Sequence, residues 1–189
     1  PEFSNFTINN FNNMVNGVEI NYVNIPMTEL KAVVKKALDK KEPVWFGCDV
    51  GKYLNRTKGV LDKKLVNFEN IFDTDISLSK KNRLLYRTSD VTHAMIFRGY
   101  DKHTIQPDCQ KKKKSKKKRP GQRGGNKSKK CKSKLRISSN PITKYLVENS
   151  WGKGEIDENI VMTTEYFEEY VYIVAVPKAL VSKKIVSVS

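Results

Sequence analysis

"VTHAMIFRGY" (Val91–Tyr100) and "KYLVENSWG" (Lys144–Gly152) decide how this chain is read. Both runs are rich in β-branched and aromatic residues and predict strands. Each places a polar residue where an apolar one would pack better: His93 in the first, Asn149 in the second. A single histidine on an apolar strand is commonly satisfied by a backbone carbonyl, and an asparagine alone says less. The pair together with Trp151 says more. Alternation along a strand puts 149 and 151 on one face. An asparagine that orients an imidazole needs its hydrogen bond shielded from water, and an adjacent indole supplies that shield.

Between the two runs lies the source of the chain's charge. The formal net charge is +16. Residues 102–136 hold 13 lysines and three arginines against one aspartate, a net of +15 that leaves +1 for everything else. The remainder is therefore a near-neutral globular domain, long enough for a core. No apolar run reaches the roughly 20 residues that a membrane span needs. "PEFSNFTINN" has neither the basic nor the apolar region of a signal peptide, and a start at Pro1 rather than Met reads as a fragment. The three cysteines, Cys48, Cys109 and Cys131, form no CxxC pair and no zinc-spaced cluster. A reducing, cytoplasmic setting is the simplest expectation.

Other segments give a coarse architecture. "VEINYVNI" (Val18–Ile25) reads as a strand after the turn at Asn16-Gly17. A helix follows Pro26, with Thr28 as the expected N-cap and Glu29 in the first turn. Leu30, Val33, Val34, Ala37 and Leu38 form its apolar stripe, and Pro43 ends it. "PVWFGCDVG" (Pro43–Gly51) reads as a buried strand in which Cys48 is an inert small hydrophobe. Residues 52–90 suggest loops and short helices, with Leu61, Leu65, Phe68 and Phe72 along one helical face. "MTTEYFEEY" (Met162–Tyr170) predicts a short helix capped by Thr163 or Thr164, and "VYIVAV" (Val171–Val176) a last strand. Helices and strands do not alternate, so an antiparallel α+β domain is expected.

"THAM" (Thr92–Met95) and "VENSWG" (Val147–Gly152) resemble the His and Asn strands of papain-like cysteine peptidases. "FTINNFNNMVNG", "AVVKKALDKKEPVWFGCDVGK" and "MTTEYFEEYVYIVAV" narrow the resemblance to the C-terminal portion of the bleomycin hydrolase / aminopeptidase C family, over about residues 3–100 and 142–178. It implies a papain-like fold, mainly the right-hand β domain, over 1–100 and 142–178. Residues 101–141 would be an insertion and 179–189 a tail. It implies that His93 exchanges a proton with a cysteine thiol and a leaving amine, that Asn149 holds the ring, and that Trp151 covers the contact. Peptide substrates, acyl transfer through a thioester without metal or organic cofactor, and a hexameric ring belong to the same implication.

Three departures qualify it. None of the three cysteines matches the family's nucleophile motif, which reads roughly Gln, then Gly, then Cys-Trp; the chain alone is then expected to be inactive. The match fades after Val176, leaving the family's C-terminal arm without a counterpart. "KGEIDENIV" lacks the Gly-aromatic step usual after the Asn motif, with Asn159 expected to take the turn. The basic insertion is expected to be disordered. It reads as a tolerated solvated loop, as a nuclear-import segment, or as a weak, sequence-independent nucleic-acid binder through Lys111, Lys112, Lys113, Lys114, Lys116, Lys117, Lys118 and Arg119. In that last case the whole would be an inactive papain-like module.

Overall fold

The short stretch Ser4–Thr7 (β1) pairs antiparallel with Asn21–Asn24 (β2), making a two-stranded ribbon apart from the main sheet. The computed structural model describes residues 1–8, 15–17, 20–74, 76–102, 141–151 and 159–188. The expected basic-tract ligands from Lys111 to Arg119, and Cys109 and Cys131, lie outside them.

Helix α1 spans Met27–Asp39 and buries the stripe read from its spacing: Leu30, Val33, Val34, Ala37 and Leu38. Its cap differs from expectation. Pro26 occupies the N-cap in an extended conformation (φ −59°, ψ 151°), and its carbonyl accepts the first helical bond from Leu30 N–H at 3.0 Å. Thr28 is therefore already inside the helix, because proline's fixed φ and missing N–H suit a helix start. The chain turns at Lys41 (φ 62°) into Val44–Cys48 (β3), where Val44, Phe46, Gly47 and Cys48 are buried and Trp45 points out.

Two small strands follow, Leu54–Asn55 (β4) and Val60–Leu61 (β5). Leu61 thus sits in a strand, not on the helical face expected with Leu65, Phe68 and Phe72; only Phe68–Phe72 (α2) is helical. Parallel pairing of β5 with a strand 100 residues later outweighs the local helical spacing. Lys80–Leu85 forms α3, capped by Ser79 accepting from Asn82 N–H at 3.3 Å.

The long strands His93–Lys102 (β6) and Ile142–Glu148 (β7) pair antiparallel. Asn159–Thr163 (β8) runs back along β7, from Lys144↔Thr163 to Glu148↔Asn159. The sequence reading places no strand here, and Asn159 opens β8 rather than taking the turn expected of it. Thr164–Tyr170 (α4) is capped by Thr163, whose hydroxyl accepts from Tyr166 N–H, and leads directly into Val171–Ala175 (β9). Residues 178–180 form a 3₁₀ turn and Lys183–Val186 a last helix, α5; Leu180 and Ile185 are buried.

The main sheet has the order β4-β5-β8-β7-β6-β3-β9 and is antiparallel except between β5 and β8. The α+β expectation therefore stands with one parallel pair added. Helices α1 and α4 cover the inner face. Phe46 and Phe97 stack there with centroids 3.7 Å apart, and Tyr145 stacks on Phe167 at 4.8 Å. These fully buried rings anchor the centre of the sheet, each contributing roughly 1.5–3 kcal/mol through burial.

Candidate active site

The antiparallel register carries His93 and Asn149 together. Ile96 pairs with Glu148, so the start of β6 lies beside the end of β7. Residues 56 apart in sequence meet in space: His93 Nε2 is 2.9 Å from Asn149 Oδ1. Loop-closure entropy grows only logarithmically, so the long connection adds little cost to the meeting.

The hydrogen bond has a defined sense. Ser150 N–H also donates to Asn149 Oδ1, at 2.8 Å. A backbone N–H can only donate, so the atom between them is an oxygen and His93 Nε2 carries the proton. The neutral ring then presents Nδ1 as its free lone pair. Asn149 is buried, 6% exposed, and its Nδ2 has no partner among the described residues. The Trp151 indole lies 4.9 Å from the imidazole centroid, tilted by 33°. Strand alternation is not what brings it there. β7 ends at Glu148, and Asn149 to Trp151 form the bend that follows. The bend keeps the indole next to the ring, 41% exposed, with the Arg56 guanidinium 5.3 Å from its centroid.

Cys48 pairs with His93 in the register between β3 and β6, yet its sulfur is no nucleophile. It is fully buried, and burial first, then the Asp49 charge, pushes its thiol up to about 12. Among the described residues no group of three or more His, Cys, Asp or Glu side chains could hold a metal, and no helix is long and apolar enough to cross a membrane.

Sequence reasoning overlooked two neighbours. Asp49 and Ser89, buried at 3% and 5% exposure, hydrogen bond beside the entry to β6. A charged residue inside an otherwise apolar run, "FGCDVG", was the available signal. Arg56 had none, since only the folded chain brings the hairpin turn to the indole.

The family model described as the Peptidase C1-like family matches residues 2–128 and 134–189. The match therefore runs beyond Val176 to the last residue and extends into the basic tract, past the bounds expected from the motifs. Aminopeptidase C of Listeria innocua is 29% identical over 183 residues, covering 96% of this chain and 33% of that protein. Bleomycin hydrolase of Homo sapiens is 31% identical over 185 residues, covering 97% and 34%. A crystal structure of PepW from Lactobacillus rhamnosis HN001 superposes with a TM-score of 0.76 at 27% identity, covering all of this chain and 34% of that one. The chain spans about a third of the length of the curated relatives it matches.

Proposed function

The chain belongs to the Peptidase C1-like family, and from that membership we propose that it supplies the histidine and asparagine of a bleomycin hydrolase-type cysteine aminopeptidase. The papain-like right-hand domain comprises 1–100 and 142–178, with 101–141 inserted. What supports the site assignment is the 2.9 Å bond from His93 Nε2–H to Asn149 Oδ1 under the Trp151 indole. It leaves Nδ1 as the proton-exchanging edge of the ring.

The nucleophilic cysteine lies in sequence outside these 189 residues. Its thiol passes the proton to His93 Nδ1, and thiolate and imidazolium form an ion pair. The thiolate attacks a peptide or amide carbonyl, and the tetrahedral adduct collapses to a thioester as His93 returns the proton to the leaving amine. Water, deprotonated by His93, then hydrolyses the thioester. Asn149 holds the ring orientation throughout, and the indole keeps water from their hydrogen bond.

The test is to extend the reading frame from the native transcript and assay the extended protein on aminoacyl amides. His93→Ala should lower kcat/KM by about 10²–10⁴-fold, the span of general acid–base catalysis. Asn149→Ala should lower it about 5- to 150-fold, as one buried hydrogen bond is lost. Full activity in either variant would refute the assignment. A second reading rests on the +15 tract: an inactive module binding nucleic acid through Lys111 to Lys114, Lys116 to Lys118 and Arg119. An extended frame without a cysteine nucleophile would favour it. Cytoplasmic location and hexameric assembly complete the proposal by analogy with the family.

A further inference from the structure

Apart from tyrosines, the buried polar residues among those described are Asn149, Asp49 and Ser89. The first belongs to the candidate site; the other two do not touch it. A carboxylate can only accept, so Ser89 O–H donates to Asp49 Oδ2 at 2.7 Å. The Ser89 oxygen then accepts from Tyr172 O–H, also at 2.7 Å. Asp49 itself is held on both sides of its backbone: its N–H donates to Tyr170 O at 3.1 Å, and its carbonyl accepts from Tyr166 O–H at 2.6 Å. Both tyrosines belong to α4.

The far side of this network is the strap 89–92 that enters β6 at His93. Thr92 N–H donates to Cys48 O at 3.0 Å, and the Thr92 hydroxyl accepts from Val50 N–H at 3.1 Å. Asp49 Oδ1 lies 3.5 Å from that hydroxyl. The carboxylate thus grips the strap at Ser89 and lies against it at Thr92, one residue before the imidazole. Burying a carboxylate is costly, and an apolar side chain would close the same space at less expense. A satisfied polar network does what apolar packing does not: it selects one conformation of the segment it binds.

We propose that Asp49 is a positioning residue for His93, its buried carboxylate fixing through Ser89 and Thr92 the entry of the chain into β6 and hence the direction of the imidazole. This rests on His93 being the working imidazole of the proposed peptidase. The positioning itself is measured without turnover.

In the 189-residue chain carrying isotope-labelled histidine, the His93 Nε2–H that donates to Asn149 gives a proton signal protected from solvent exchange, assigned by its loss in His93→Ala. Asp49→Ala and Ser89→Ala are expected to speed that exchange about tenfold or more. Asp49→Asn, which keeps an acceptor oxygen for Ser89, should restore most of the protection. Val34→Ala, a core truncation away from the strap, should lower stability and leave the signal protected. Native-like exchange in both Asp49→Ala and Ser89→Ala overturns the inference, as does equal loss in Val34→Ala. If Asp49→Ala does not fold, Ser89→Ala decides alone. An extended protein without peptidase activity would sink the functional reading and leave this result standing.

Discussion

At the scale of single residues, His93 depends on neighbours that do different things. Asn149 sets the tautomer through an oxygen shared with Ser150 N–H, and Trp151 lies beside the imidazole from a bend. Trp151→Phe should keep most of kcat/KM in the extended protein, while Trp151→Ala should expose the hydrogen bond and cost about tenfold, within the range for one weakened bond. Equal activity in the two variants would remove the shielding role. Cys48 offers a test in the chain itself. The unfolded thiol ionises near pH 8.5–9, whereas the folded one holds its proton to about 12. The unfolded state therefore binds fewer protons across this window, and stability falls as pH rises, by at most about 1.4 kcal/mol per pH unit. Lys80 acts in the opposite sense. Its ammonium is pushed down to about 8 by burial, so from there to 10.5 the unfolded state binds more protons and stability rises with pH. Cys48→Ala should remove the falling contribution and make the urea midpoint rise more, or drop less, between pH 9 and 10 than in the native chain. An unchanged pH profile would mean the thiol is hydrated in the fold.

At the scale of elements, α3 and α4 are joined by cations meeting carbonyls. Lys80 Nζ donates to Glu168 O at 3.0 Å, and Arg83 donates to Glu169 O at 3.0 Å as well as to its carboxylate. These carbonyls end α4, where a helix leaves its acceptors unpaired and favours positive charge. Arg83→Ala should cost about 0.5–1.5 kcal/mol, since the Glu169 carbonyl and carboxylate each lose a donor and the carboxylate keeps only the longer ion pair with Lys63 at 3.7 Å. Thermal melts of Arg83→Ala and Arg83→Lys would check this; lysine should recover only part, lacking the two-pronged geometry. How far these elements were legible varies for physical reasons. α1, β3, β6, β7 and α4 carry their own signal, because each buries a regular apolar stripe against the core. β8 does not. Its run Asn159–Thr163 is short and follows a polar stretch, and only pairing with β7 on one side and β5 on the other makes it a strand.

At the scale of the molecule, an apolar band on the fold and a charged tract in the sequence call for explanation. Trp45, Ile96, Leu146 and Val161 are all exposed and share the outer face of the sheet, linked by the registers Trp45↔Ile96 and Leu146↔Val161. Such a band on a small domain promotes association. The chain by itself should self-associate in light scattering, and Ile96→Lys with Leu146→Lys should reduce this; a clean monomer of the unsubstituted chain would contradict it. The basic tract, which lies outside the described residues, carries a prediction of its own. If its eight cations from Lys111 to Arg119 all pair with phosphates, the logarithm of affinity should fall against that of salt with a slope approaching about −7 for B-DNA. Binding that ignores salt would exclude this mode.

Singling out His93, Asn149 and Trp151 took the family resemblance of two runs far apart in sequence, whereas local patterns alone were enough for the apolar stripe of α1, the buried run around Cys48 and a cap at Thr163 or Thr164. Each is written in residues a few positions apart, where periodicity and side-chain chemistry act without long-range help. Tertiary structure decided the rest: β8 and its parallel partner, the bend that seats Trp151, the Arg56 contact, and the Asp49–Ser89 network behind His93. Apart from the β7–β8 pair, those depend on groups 40 or more residues apart, brought together only when strand pairing and the packing of α4 close the fold. A buried carboxylate in the string "FGCDVG" is a charged letter in an apolar run; its partners exist only in three dimensions.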